Sequence, residues 1–91
     1  MKKLARPVQV EEVEGEGFIS LLGKPVLIMC MNYFYAGTLS GVNKEFIQLE
    51  NPRIVYETGP FDTKGYKDAQ ALPSDTWNIQ ISAIESYGEA S

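Results

Sequence analysis

The sequence predicts a mostly β fold, built as one small and strongly curved sheet. Residues 26–31 form an unbroken apolar run between Pro25 and Asn32, too short for a helix that would stand alone, and this indicates a strand buried on both faces. Residues 76–82 alternate between apolar and polar side chains, as a half-buried strand does. A fully apolar strand in a chain of 91 residues needs cover. That cover is either the chain's own bent sheet or another subunit.

The other elements follow from turn residues, glycines and proline. Residues 18–22 fit one turn of helix or an irregular lead-in. Gly37 and Gly41 inside the second strand indicate a sharp bend or a bulge that closes a small barrel. Pro52 cannot donate to a ladder, so it interrupts the third strand at an edge or a bulge. The five predicted strands are residues 26–31, 34–41, 46–56, 76–82 and 83–87.

Chain length and residue types predict a single domain with a tail and one long loop. Residues 1–16 are polar and charged and are expected to form an N-terminal tail, in which three valines leave room for a short extended piece. Residues 17–88 form the domain. Residues 57–75 are expected to form a long polar loop, and loops of that length are uncommon unless they are functional or mobile.

Composition restricts the chemistry. The net charge of −4 argues against bulk electrostatic affinity for nucleic acid, so any such site must be local. The chain has no histidine, and its one cysteine, Cys30, lies in an apolar strand and is expected to be a buried hydrophobic residue. We therefore predict no enzyme activity, no metal and no cofactor. A single cysteine and the absence of an apolar leader or span predict a cytoplasmic protein without a membrane partner.

The remaining chemistry is aromatic and amide chemistry. Tyr33, Phe34 and Tyr35 lie together at a predicted hairpin, and Phe46 and Gln80 lie where strand ends could converge. Such side chains stack on nucleobases and hydrogen-bond to their edges. The alternative is that these aromatic residues belong to the core or to a subunit interface, where they would bury large areas.

Several short motifs resemble the Sm-like (LSm) family, which includes the bacterial host-factor RNA chaperone. The similarity covers about residues 18–57 and 76–87. The motifs are Gly23-Lys24-Pro25-Val26, Gly37-x-Leu39, Val42-Asn43, the strand at 46–51 and, more loosely, Ile79-Gln80-Ile81. The resemblance implies a short N-terminal helix, a five-stranded, sharply bent barrel, and homo-oligomeric rings of about five to eight subunits. It also implies a non-catalytic RNA chaperone or scaffold that binds single-stranded RNA.

The resemblance places the family's RNA-binding positions at Asn43, Glu45, Ile47 and Gln80. Glu45 replaces a stacking residue, Ile47 an amide and Gln80 an arginine, so uridine-specific binding is expected to be weak. A slip of one residue in the third strand would turn Phe46 toward the site instead of Glu45. The 57–75 loop offers an alternative surface for RNA or protein. The alternative function is a structural or protein-interaction ring that has lost RNA binding.

Overall fold

Strands dominate the part of the chain that the computed structural model describes, which is residues 2–5, 9–12, 17–62 and 64–90. The prediction of a mostly β fold is confirmed. The strands are β1 (Lys2–Ala5), β2 (Gln9–Glu12), β3 (Pro25–Cys30), β4 (Phe34–Val42), β5 (Phe46–Glu57), β6 (Asp68–Ala71), β7 (Thr76–Gln80) and β8 (Ile84–Glu89). Two 3-10 helices, Phe18–Leu21 and Ile81–Ala83, precede β3 and β8.

The main sheet is antiparallel and open, and β5 is its longest strand. Its order is β6-β5-β4-β3-β8, with β7 also paired to β5. Because β5 has 12 residues, it holds two strands along the side opposite β4: residues 46–50 pair with β7 and residues 53–57 with β6. Within the described residues, the outer edges of β7 and β8 have no partner strand. Closure of the sheet into a barrel stays a prediction.

The two halves of β5 meet at a bulge. Asn51 adopts a left-handed φ of 50°, and the buried Pro52 follows it. The Asn51 N–H donates to the carbonyl of Asp75 at 3.1 Å, and the Leu72 N–H donates to the carbonyl of Pro52 at 2.9 Å. Proline has no N–H to donate, and the bulge does not require one at this position. β5 therefore continues through Pro52.

Gly37 lies where the backbones of β4 and β5 approach closely. The register between these strands shifts between Ala36 and Thr38. A Cβ atom on Gly37 would lie 2.8 Å from the carbonyl oxygen of Glu50 and 3.1 Å from Cβ of Leu49. A side chain therefore cannot be added unless β5 moves. The irregularity predicted at this glycine is present in the β4–β5 register, at the point where that contact leaves no room for a side chain.

We expect Gly37→Ala to lower the free energy of unfolding by about 1–3 kcal/mol, because it forces β4 and β5 apart. Gly41→Ala is the matched control, since a Cβ there meets its nearest neighbour, Cβ of Gln48, at an ordinary 3.5 Å. Urea denaturation of both variants measures the difference. Equal stability of the two variants would show that the close approach at Gly37 does not constrain the fold.

The main core cluster lies on one face of the sheet, whereas Ala36 and Val55 are buried on the other face. The side chains with under 2% exposure are Val26, Ile28, Leu39, Ile47 and Leu49. β3 alternates between fully buried and half-buried residues, so the expectation of burial on both faces is met on one face only. Leu27 and Met29 on the other face border a groove that is also lined by Phe61 and Tyr66. The other side of this groove is thus formed in part by residues of the connection between β5 and β6.

The predicted tail, which left room for a short extended piece, and the predicted long loop both contain strands. The predicted tail, residues 1–16, includes an antiparallel pairing of β1 with β2 that sets Lys2 opposite Glu12 and Lys3 opposite Glu11. The predicted 57–75 loop includes β6, which pairs with residues 53–57 of β5. Residues 53–57 of β5, beyond the bulge, supply the backbone donors and acceptors with which this short strand pairs.

Candidate functional site

The turn between β4 and β5 is built around Asn43. Its side-chain Oδ1 accepts hydrogen bonds from the backbone N–H groups of Glu45 at 2.7 Å and Phe46 at 2.8 Å. Its own N–H donates to the carbonyl of Phe46 at 3.0 Å. Asparagine is suited to this role because its short amide reaches the backbone two and three residues on. Asn43 therefore fixes where β5 begins and how Phe46 leaves the turn.

The register of β5 against β7 sets one aromatic side chain beside three amides. Phe46 lies opposite Gln80, and Gln48 lies opposite Asn78. Facing residues of an antiparallel pair project from the same side of the sheet, so these four side chains share one surface. We call it the aromatic-amide face. Phe46 and Gln48 are half-buried, whereas Asn78 and Gln80 are exposed.

The intervening residues point the other way. Ile47 lies opposite Ile79 and Leu49 opposite Trp77, and all four pack in or against the core. This alternation anchors β5 and β7 to the core and presents the aromatic-amide face outward. The face therefore rests on packed strands and not on a mobile loop, which favours a site of fixed geometry.

Gln48 is held by its neighbour on β4. The Ser40 hydroxyl lies 3.2 Å from both the backbone carbonyl and the side-chain Oε1 of Gln48, and it donates to one of them at a time. Gly41 lies opposite Gln48 and adds no side chain over it. The amide of Gln48 is thus restrained from one side and is open on the other.

Three of the four predicted RNA-binding residues lie together around Phe46. Glu45 and Gln80 border one cleft with Phe46, and the Glu45 carbonyl accepts a hydrogen bond from the Ile81 N–H at 2.9 Å. Asn43 shapes the turn beside them. Ile47 does not join them, because its side chain is 0% exposed and lies in the core. This burial does not fit the assignment of Ile47 as a contact residue. It fits the alternative register, in which the third strand is shifted by one residue and Phe46 faces outward.

Gln48 and Asn78 are the two members of the face that the motif comparison missed. The signal for both was present in the sequence. Ile47 and Leu49 form the more apolar side of the third strand, which leaves Gln48 on the side of Phe46. The alternation over residues 76–82 likewise groups Asn78 with Gln80.

The aromatic residues of the β3–β4 hairpin do not form one platform. Tyr33 is 49% exposed in the turn, Tyr35 packs against the core, and Phe34 projects to the opposite side of β4 from Tyr35. Burial raises the pKa of the Tyr35 hydroxyl and of the Cys30 thiol above their ordinary values, so both stay protonated at neutral pH. A protonated, buried Cys30 is a poor nucleophile and packs as a small hydrophobic residue.

The cations of residues 17–62 and 64–90 lie mostly away from the aromatic-amide face. Lys24 pairs with Glu89 and Lys67 with Glu57, each at 3.4 Å. The Arg53 guanidinium lies 5.3 Å from the ring centroid of Tyr66, on the other half of β5. At the face itself, Glu50 lies opposite Thr76 on the same side of the sheet as Gln48. Lys44 follows Asn43 in the turn and borders the cleft of Phe46 and Gln80.

Comparison with protein-family models, curated proteins and solved structures finds no match to this chain. Across the described ranges, no helix has the length and apolar content needed to cross a membrane. In that same part of the chain, no three His, Cys, Asp or Glu side chains come together in a way that could hold a metal ion. The function is therefore inferred from the fold, the aromatic-amide face and the motifs in the sequence.

Proposed function

We propose that this chain is an Sm-like subunit that assembles into a homo-oligomeric ring and binds single-stranded RNA without catalysis. The strand order supports the proposal. With β6 set aside as an addition to the long connection, the sheet reads β8-β3-β4-β5-β7, every pair is antiparallel, and a 3-10 helix precedes β3. A five-stranded, sharply bent sheet after a short helix is what the sequence resemblance implies.

Two of the free strand edges, those of β7 and β8, support the ring. Each edge strand exposes a row of backbone donors and acceptors, which a second copy can pair. Pairing β7 of one copy with β8 of the next is heterologous and repeats around a closed ring. It also supplies cover for Trp77, which is half-buried on β7, and for Tyr87, which is 40% exposed on β8.

We expect light scattering at micromolar concentration to give a particle of roughly 50–80 kDa, because each chain has a mass of 10.1 kDa and rings of this kind hold about five to eight copies. The mass should stay constant on dilution over about a tenfold range, since ring closure pairs the β7 edge of every copy with the β8 edge of the next. A monomer of 10.1 kDa under these conditions would contradict the assembly.

The observation that carries RNA binding is the aromatic-amide face. A half-buried phenyl ring beside three amides offers one stacking surface together with several donors and acceptors at fixed positions. Unpaired bases are recognised through stacking and through hydrogen bonds to their edges. Sequence preference is left open by these residues, because an amide can pair with the edge of more than one base.

Fluorescence anisotropy with oligo-U, oligo-A and a mixed-sequence RNA tests the proposal. We expect at least one of them to bind at low salt with a dissociation constant below about 10 μM, equivalent to roughly 7 kcal/mol. Double-stranded RNA is the control and should bind more weakly, because its bases are stacked and paired. Absence of binding to every single-stranded sequence would overturn RNA binding.

A structural or protein-interaction ring is the alternative function, and the charge balance favours it. Residues 17–90 carry eight carboxylates and five basic side chains, and glutamine stands at position 80, where the family's arginine would be. An intact ring without RNA affinity in the same titrations would establish this alternative.

A further inference from the structure

We propose that the aromatic-amide face recognises bases and not phosphates, so that its ligand class is unpaired nucleobases on a backbone of any charge. This inference rests on the proposed RNA binding. It predicts that an uncharged peptide nucleic acid binds at least as tightly as RNA of the same base sequence.

The hydrogen-bonding groups of the face match bases better than phosphates. Gln48, Asn78 and Gln80 each carry one carbonyl acceptor and one NH2 donor, and base edges likewise present donors and acceptors side by side. A phosphate presents acceptors only, and arginine or lysine is its usual strong partner. The carbonyl side of each amide would have no partner on a phosphate.

The charges around the face also favour bases over phosphates. Its far end carries Glu50, which is exposed and faces Thr76, and its near end carries Glu45 beside the cleft. Lys44 is the basic side chain that borders the cleft, and it adjoins Glu45 in the chain. A polyanionic backbone laid along this face meets carboxylates at both ends and gains one cation at most. A neutral backbone avoids that repulsion and keeps every base contact.

Salt dependence gives the quantitative form of the inference. Log affinity falls as log salt rises, and for a single strand each phosphate neutralised by a lysine or arginine adds about 0.7 to the steepness of that fall. Lys44 is the one basic side chain among the described residues that line this cleft, so it is the one candidate for a phosphate contact. We therefore expect a steepness of about 0.7 or less. Raising salt fourfold should then weaken RNA binding by less than about threefold.

The experiment compares an RNA octamer with a peptide nucleic acid octamer of the same sequence, by anisotropy at about 50 and 200 mM salt. The expected result is equal or tighter binding of the peptide nucleic acid and a shallow slope for RNA. Two results together would overturn this inference and leave the proposed RNA binding standing. The peptide nucleic acid would fail to bind, and the affinity for RNA would fall about tenfold or more between the two salt concentrations. If neither probe binds, both proposals fall.

Variants at two positions separate base contacts from phosphate contacts. Asn78→Ala should weaken both probes to the same extent, because it removes a base contact that the two backbones share. Lys44→Gln should leave the affinity for the peptide nucleic acid unchanged and should weaken RNA binding by less than about tenfold at about 50 mM salt, because it removes one phosphate contact at most. A large loss for RNA alone in Lys44→Gln would show that phosphate binding dominates and would overturn the inference.

Discussion

Replacing Ile47 with asparagine should destabilise the protein by about 3–5 kcal/mol and should not improve RNA binding. Asparagine is the family's residue at the motif position that Ile47 was assigned to, so the sequence resemblance alone would expect this change to restore an RNA contact. The side chain is 0% exposed and packs among apolar residues of the core, where the smaller amide would leave a cavity and find no side-chain hydrogen-bond partner. A loss of that size is a large part of the 5–15 kcal/mol that holds a typical domain folded.

Urea denaturation followed by tryptophan fluorescence measures the effect, since Trp77 packs against the same core. Gln48→Asn is the control for stability, because it places the same asparagine side chain one residue away, on the outward face. We expect it to cost under about 1 kcal/mol. If Ile47→Asn were as stable as this control and bound RNA more tightly than the unmodified chain, the register described for β5 would be wrong.

Replacing Phe46 with alanine should weaken RNA binding by about 1–3 kcal/mol, or roughly 5-fold to 150-fold, because it removes the stacking surface of the face. Gln80→Ala should give a smaller loss of about 0.5–1.5 kcal/mol, since a neutral hydrogen bond contributes less than a stacked base. Anisotropy titration with the tightest-binding single-stranded RNA measures both. Light scattering on each variant shows whether the assembly is unchanged.

Phe61→Ala is the matched control for Phe46→Ala. Phe61 is a phenylalanine with 68% exposure, and it lies in the 57–75 connection that the sequence marked as an alternative surface. We expect its loss to leave RNA affinity unchanged within about twofold. A loss confined to Phe61→Ala would move the binding site from the aromatic-amide face to that connection.

The main strands could be predicted because their signals are local. The apolar run at 26–31, the alternation at 76–82 and the two glycines of β4 each reflect a strand that packs against this core or bends over it. The β6 strand could not be found in this way. Its sequence, Asp-Ala-Gln-Ala, has no β-branched or aromatic residue, and it forms a strand because β5 extends beyond its bulge and offers a free side.

The four motif positions do not all lie on the aromatic-amide face, and the placement of Ile47 in the core has a physical cause. The family motif fixes positions by counting residues from the turn, and a turn that differs by one residue moves every later side chain to the opposite face. The motif count placed Ile47 at the site, whereas the apolar alternation of Ile47 and Leu49 placed it in the core. Burial of large aliphatic side chains is worth about 1.5–3 kcal/mol each, so the core requirement decides the register.

Photo-crosslinking tests the central claim, that RNA bases lie on the aromatic-amide face, most directly. A single-stranded RNA carrying 4-thiouridine would be irradiated with the assembled protein, and the crosslinked peptides identified by mass spectrometry. The predicted result is crosslinking within β5 and β7, at Phe46 foremost, with loss of the β5 crosslink in Phe46→Ala. Crosslinks confined to the 58–66 segment, with none in β5 or β7, would contradict the account.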